Sequence, residues 1–173
     1  MNIILPKSHT KTQALRHLRI LKDFINFKIY DKPEVTNLEA QLSEFEKKLR
    51  SKPYESYIDD DVVFLKSLDP QFYNSFNSEN IKSELESLDK SLEGAKLIHV
   101  YIPFEMPEPE ILKLGNWIKL NLGEETLFDL IFDQSLIGGC AISVNGIYKD
   151  YSLKQKIEEN KKQVLETLLS FKH

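Results

Sequence analysis

Residues Phe132–Ser152 read FDQSLIGGCAISVNGIYKDYS, and the fold of the second half of the chain turns on them. Asn145-Gly146 stands between two apolar runs. A two-residue type I′ turn needs positive φ at both central positions, so Asn-Gly here predicts a tight hairpin over 139–149. Gly138-Gly139 precedes the first strand, where paired glycines mark a bulge or the close approach of another backbone. Ser152-Leu153-Lys154-Gln155 has the form of a capping box. In that arrangement the Ser side chain accepts from the N–H three residues on, and Gln155 reaches back to the N–H of the cap. Nothing in the stretch is catalytic on its face.

Upstream, Lys96–Ile102 is β-branched and apolar between Gly94 and Pro103, and reads as a strand. Pro107 and Pro109 introduce a helix from Glu110 to about Leu122, with Ile111, Leu114, Ile118 and Leu122 on its apolar face and Gly123 as its stop. Residues 125–132 form a second strand. Strand, helix, strand at this length predicts a right-handed βαβ unit. Downstream, Leu153 to about Phe171 reads as one helix, with Leu153, Ile157, Val164 and Leu168 on one face. Its length would be ~28 Å, and it is expected to lie along the sheet, with part of it projecting beyond because its Lys and Glu are dense.

The first half is helical in pattern. Over 8–29, Leu15, Leu18, Leu21 and Ile25 recur at helical spacing, and Ile20, Phe24 and Phe27 widen the stripe. A stripe that wide is usually buried between helices. Thr36-Asn37-Leu38-Glu39 is a second capping box, followed by a seam of Val35, Leu38, Leu42, Phe45 and Leu49 that ends by Pro53. Asp59-Asp60-Asp61 reads as a solvated helix cap and not as a cation loop, because no Asp-x-Asp-x-Asp-Gly follows. Asp69-Pro70 starts a short element, and Ile81, Leu85, Leu88 and Leu92 define a helix closed by Gly94. The expected architecture is α+β: an amino-terminal helical bundle over 1–94, then a small α/β domain over 95–173.

With 173 residues, 41% hydrophobic and 29% charged, the chain can bury a core and stay soluble. A net charge of −4 argues against nucleic acid as the main partner. Residues 1–32 carry seven Lys/Arg against two Asp/Glu, which suits an acidic partner or, more commonly, a solvated helix face. The opening MNIILPKSHT lacks a basic n-region, so no signal peptide is expected. The apolar run LIHVYIPF is far short of the ~20 residues of a membrane helix. Direct membrane insertion is therefore not expected.

The residues quoted from 96 to 170 resemble the carboxy-terminal part of the F-type ATP synthase delta subunit, the oligomycin-sensitivity-conferring protein of mitochondria. The match lies in Asp133, Leu136-Ile137-Gly138-Gly139, Ala141–Val144, Asn145-Gly146, and Asp150-Tyr151-Ser152 ahead of Leu153–Ile157. Ile137, Gly138, Gly139, Asp150 and Ser152 are signature positions, with structural roles in turn, packing and helix cap. Gln134 stands where the family often has Pro, only Gln13-Ala14-Leu15 echoes the family's opening helix, and residues 1–94 are too short for the family's bundle of about six helices, so the resemblance implies a shortened or divergent bundle there. The resemblance implies a non-catalytic stator subunit that joins the catalytic head to the peripheral stalk and resists rotation. It implies partners in the amino-terminal helices of the alpha subunits and the b-type stalk subunit. It also implies a peripheral place on the cytoplasmic face of the membrane, or on the matrix or stroma side in an organelle. Leu15, Leu18 and Ile25 are the candidate partner-binding face of the helical half.

Two other readings compete. One is a general helix-binding adaptor unrelated to ATP synthase. The other is a small enzyme using Cys140 with His99 as base, or a carboxylate among Glu105, Glu108 and Glu110. A nucleophilic thiol needs a nearby base and a lowered pKa, whereas a small residue in a buried strand is the simpler use of Cys140. His9, His17, His99 and His173 have no metal-ligand spacing. No glycine-rich phosphate motif is present. No cofactor, metal site or catalytic residue is expected.

Overall fold

The hairpin forms where Asn145-Gly146 places it. In the computed structural model, which describes residues 3–31, 37–51 and 57–170, Asn145 has φ 50° and Gly146 φ 78°. The chain divides into two units, Met1–Ser8 with Thr12–Ala95, and His9–Lys11 with Lys96–His173.

The described residues of the first unit carry five α-helices: α1 Lys11–Asn26, α2 Leu38–Arg50, α3 Ile58–Lys66, α4 Pro70–Asn74 and α5 Ile81–Glu93. A π-turn, Phe27–Asp31, extends α1. The wide stripe on α1 buries Ala14, Leu18, Leu21, Phe24 and Ile25. Phe24 packs edge-on against Phe45 at 5.3 Å and against Tyr73 at 5.2 Å. Burial pushes the Tyr73 phenol well above its ordinary value, and its O–H donates to the Leu65 carbonyl at 2.7 Å.

The capping box expected at Thr36 is not what starts α2. The cap is Asn37, whose side chain accepts from the N–H of Glu39 and of Ala40. Val35, Thr36 and Pro53 lie outside the described residues.

The triple Asp is not a uniformly solvated cap. Asp61 is buried, 2.9 Å from Arg16 Nε. That approach lies off the N–H axis, so it is an ion pair and not an aligned hydrogen bond. Arg16 also lies over the Tyr57 ring. Lys22 pairs with Asp89 at 2.6 Å, and Lys28 Nζ donates to the Tyr73 carbonyl at 2.6 Å. Three of the seven amino-terminal cations are thus used inside the unit, and none of these three forms a free basic face.

The second unit is built on strands β1 Lys96–Ile102, β2 Thr126–Phe132, β3 Ala141–Val144 and β4 Ile147–Asp150 in the order β2-β1-β3-β4. β1 and β2 are parallel around helix α6, Glu108–Leu122, and the other pairs are antiparallel. Ile98, Val100, Ile102 and Phe128 form one face of the core with Ile118 of α6.

His9–Lys11 adds a piece the sequence pattern did not announce. The Phe128 N–H donates to the His9 carbonyl at 3.1 Å, and Thr10 bridges Phe128 in parallel. The outer edge of β2 is covered at Phe128 by this single bridge. The His9 ring lies on Gly115 of α6, where a Cβ would stand 2.5 Å from the ring carbon Cγ.

The terminal helix differs from expectation. Asn160, at φ −107° and ψ 20°, divides it into α7 Leu153–Glu159 and α8 Lys161–Ser170. α7 rests on the 3-10 turn Gln134–Leu136 and buries no residue, so the expected single helix along the sheet does not form. The reason lies in the stripe. Between Ile157 and Val164 every residue is polar or charged, so the middle of the segment offers nothing to bury.

Candidate partner-binding surface

The signature stretch is a locked turn. The Asp133 side chain accepts from the Ser135 N–H at 2.9 Å, and hydrogen bonding from the Ser135 side chain first, then from its N–H, holds the carboxyl below the usual range. The 3-10 turn follows and buries Leu136. Ile137 then takes φ 65° and ψ −47°, and the Gly138 N–H donates to the Leu136 carbonyl at 2.7 Å. This is a γ-turn of the rare, strained hand. A β-branched residue there is an outlier that costs on the order of 1–3 kcal/mol.

Gly139 has φ 81°, and a Cβ on it would meet the Tyr151 carbonyl oxygen at 2.6 Å. Only glycine fits that position. The Gly138 carbonyl accepts from the Leu153 N–H at 2.8 Å, and the Cys140 carbonyl accepts from the Tyr151 N–H at 2.9 Å. The Asp150 side chain accepts from the Ser152 N–H at 2.7 Å. Ser152, fully buried, accepts on Oγ from the Gln155 N–H at 3.2 Å.

The capping box is therefore half formed. Asp150 takes the N–H that Gln155 was expected to reach, and the Gln155 side chain donates instead to Glu159 at 2.8 Å. The structure brings Ile137, Gly138, Gly139, Asp150 and Ser152 together as one joint between turn, hairpin and helix.

From β2 to α8 several large apolar side chains are exposed among polar ones. Ile137, Phe132, Leu153 and Ile157 are exposed, and so are Leu165, Leu168 and Leu169 on α8. The set bears the marks of an unsatisfied interface, since monomers seldom leave so many large apolar side chains in water along one segment.

In the first unit a groove between α2, α3 and α4 is lined by Leu38, Leu42, Leu65, Leu68 and Tyr73, with Glu39, Ser43 and Lys66 at its polar side. The candidate face Leu15, Leu18, Ile25 does not hold together. Leu18 and Ile25 are 5% and 0% exposed, and Leu15 alone is exposed, at 49%.

The Cys140–His99 pair is not brought together by the sheet. The register sets Ser143, not Cys140, opposite His99, and His99 Nδ1 lies 3.9 Å from Asp129. Ser8 Oγ and His17 Nδ1 are 2.8 Å apart, but both residues are buried and His17 is stacked on Phe64 at 3.9 Å. Among the described residues no group of three His, Cys, Asp or Glu side chains could hold a metal ion. No described helix is long and apolar enough to cross a membrane.

A family model described as the ATP synthase delta (OSCP) subunit matches residues 77–164, just over half of the chain. The chain belongs to that family. The match begins in the turn before α5, well upstream of the residues whose motifs resemble the family, and takes in the whole joint. The chain is also similar to the ATP synthase subunit delta of Malacoplasma penetrans (strain HF-2), with 33% identity over 64 residues. That stretch is 37% of this chain and 34% of the relative, so the chain matches about a third of that delta subunit's length.

Proposed function

We propose that this chain is a non-catalytic stator subunit of ATP synthase, joining the catalytic head to the peripheral stalk and resisting rotation during proton-driven synthesis. The observation that carries the reading is the family match across 77–164. The apolar surface around α7 and α8 supports it, because a linker works through folded contacts and needs a dry patch for each partner.

In this reading the second unit grips the b-type stalk subunit, and the helical unit receives the amino-terminal helices of the alpha subunits. The groove of α2, α3 and α4 is of a kind that accepts the apolar face of a partner helix. The subunit sits at the membrane through the complex, on the cytoplasmic face or on its organellar equivalent. Ile137, Gly138, Gly139, Asp150 and Ser152 set the shape of the stalk-binding end and take no part in chemistry.

The test is co-purification. A tagged full-length chain should bring down alpha and b-type subunits from gently prepared membranes. Low-salt washing with a chelator should release it together with the ATPase head. A chain that stays soluble and apart from the head throughout would defeat the reading, and unrelated partners in the same pull-down would select an adaptor.

A further inference from the structure

The seat under the His9 ring is made by an omission. Gly115 stands midway along α6, outside the positive-φ region. Conformation therefore does not ask for glycine there, and glycine weakens a helix relative to alanine. Space does ask for it. A Cβ at Gly115 would lie 2.5 Å from His9 Cγ and 2.6 Å from its Cβ and Nδ1. The helix gives up a side chain, and the imidazole occupies the room.

The seated ring belongs to the strap His9–Lys11. The His9 carbonyl accepts from the Phe128 N–H at 3.1 Å, and Thr10 pairs with Phe128 as an isolated bridge and not as a ladder. So short a pairing is weak by itself, and the packing of the ring on α6 adds to its hold.

That packing depends on charge. Lys119, one turn beyond Gly115, is the cation that α6 sets near the ring. Its Nζ donates to the Glu124 carbonyl at 2.7 Å, and the Glu124 carboxylate lies beyond it. β2 presents the apolar Phe128, and its Asp129 is paired across to His99 on β1. Lys7 and Lys11 flank the ring in sequence. An imidazolium in the seat is half-buried and beside an ammonium. Burial first, and Lys119 second, hold its pKa below 6.5.

We propose that His9 is a proton-operated catch: on taking up a proton its ring leaves the Gly115 seat, the strap lets go of Phe128, and the outer edge of β2 is bared. The released ring binds a proton more tightly than the seated one. The strap is therefore closed above pH 6.5 and opens progressively as pH falls through 6.5 toward the lower value of the seated ring. Every part of the catch lies in the second unit, and it works the same way whichever partners the chain has.

Amide hydrogen exchange of the full-length chain, followed by NMR and corrected for the pH dependence of intrinsic exchange, tests the catch. The Phe128 N–H reports the strap, and the amides of β1, enclosed between β2 and β3, report opening of the whole sheet. From about pH 7.5 to about pH 5.5, Phe128 should lose protection several-fold, up to the roughly tenfold that one proton allows. The β1 amides should lose less. In the parent, the His9 ring protons should titrate with a midpoint below 6.5. His9→Gln, which cannot titrate, should abolish the extra loss at Phe128, and Lys119→Gln should shrink it. Phe128 protection that tracks the β1 amides over the whole range would overturn the catch. So would a ring midpoint at or above 6.5, or an extra loss that survives His9→Gln undiminished.

Discussion

The carbonyl oxygen of Tyr151 lies 2.6 Å from the point where a Cβ on Gly139 would stand, with the Ser152 Cα at 3.1 Å. Two backbone segments meet there without a side chain between them, and the hydrogen bond from the Tyr151 N–H to the Cys140 carbonyl closes the contact at 2.9 Å. Gly139→Ala should therefore destabilise the second unit by about 2–4 kcal/mol, combining left-handed strain with a backbone clash. Denaturant unfolding of the full chain measures it, and a loss within about 0.5 kcal/mol, the range of a neutral surface change, would show that the joint can open.

His9 and Gly115 form a second pairing of ring and bare helix. Gly115→Ala would place a methyl 2.5 Å from His9 Cγ and should cost about 1–3 kcal/mol by overpacking. Adding His9→Ala to that variant should return part of the loss, because the two sites share one contact. A double-mutant cycle with no coupling would count against the packing described.

Burial, with Lys119 beside it, holds the His9 imidazole below its ordinary value of 6.5. Above pH 6.5 the ring is neutral in folded and unfolded chains alike, and its contribution is intact. As pH falls below 6.5 the unfolded chain takes up the proton first, and stability declines until the folded ring is protonated too. The unfolding midpoint should thus drop on acidification from neutral pH, and His9→Gln should flatten that part of the slope relative to the parent.

Asp61→Asn should cost about 1–3 kcal/mol, because it leaves the largely enclosed Arg16 charge with only Asp60, at 3.7 Å, as carboxylate partner. Lys48→Ala, which removes an ion pair to Asp31 whose side chains are about half exposed, should cost less than about 1 kcal/mol. Urea midpoints for the two variants check the contrast.

Leu168→Asp and Leu169→Asp fall on exposed positions of α8 and should leave the unfolding midpoint within about 0.5 kcal/mol of the parent. If the stator reading is right, they should also weaken co-purification with ATP synthase. Pull-down yields set against unfolding curves separate the two effects.

Much of the second unit was legible in advance because its punctuation is strong. Gly94, Pro103, Pro107, Gly123 and Asn145-Gly146 bracket the strands and the crossover helix, and each acts through local backbone sterics. What escaped reading depended on distant contacts. His9–Lys11 has no strand pattern and pairs only because Phe128 leaves an edge open. Asp61 looks like its two exposed neighbours until Arg16 is brought to it from α1. Leu18 and Ile25 belong to a stripe so wide that sequence could not tell its buried centre from an available face. The strain at Ile137 had no signal, since an isoleucine before two glycines reads as a simple lead into a strand. The break at Asn160 could have been found by noting the polar run between Ile157 and Val164.

The cover that His9–Lys11 lays over β2 also bears on how the protein is made. These three residues leave the ribosome long before Phe128 exists, and they must wait for it. A fragment dissected to begin at Lys96 would contain every named strand yet leave β2 uncovered at Phe128, and in isolation it should self-associate more than the full-length chain.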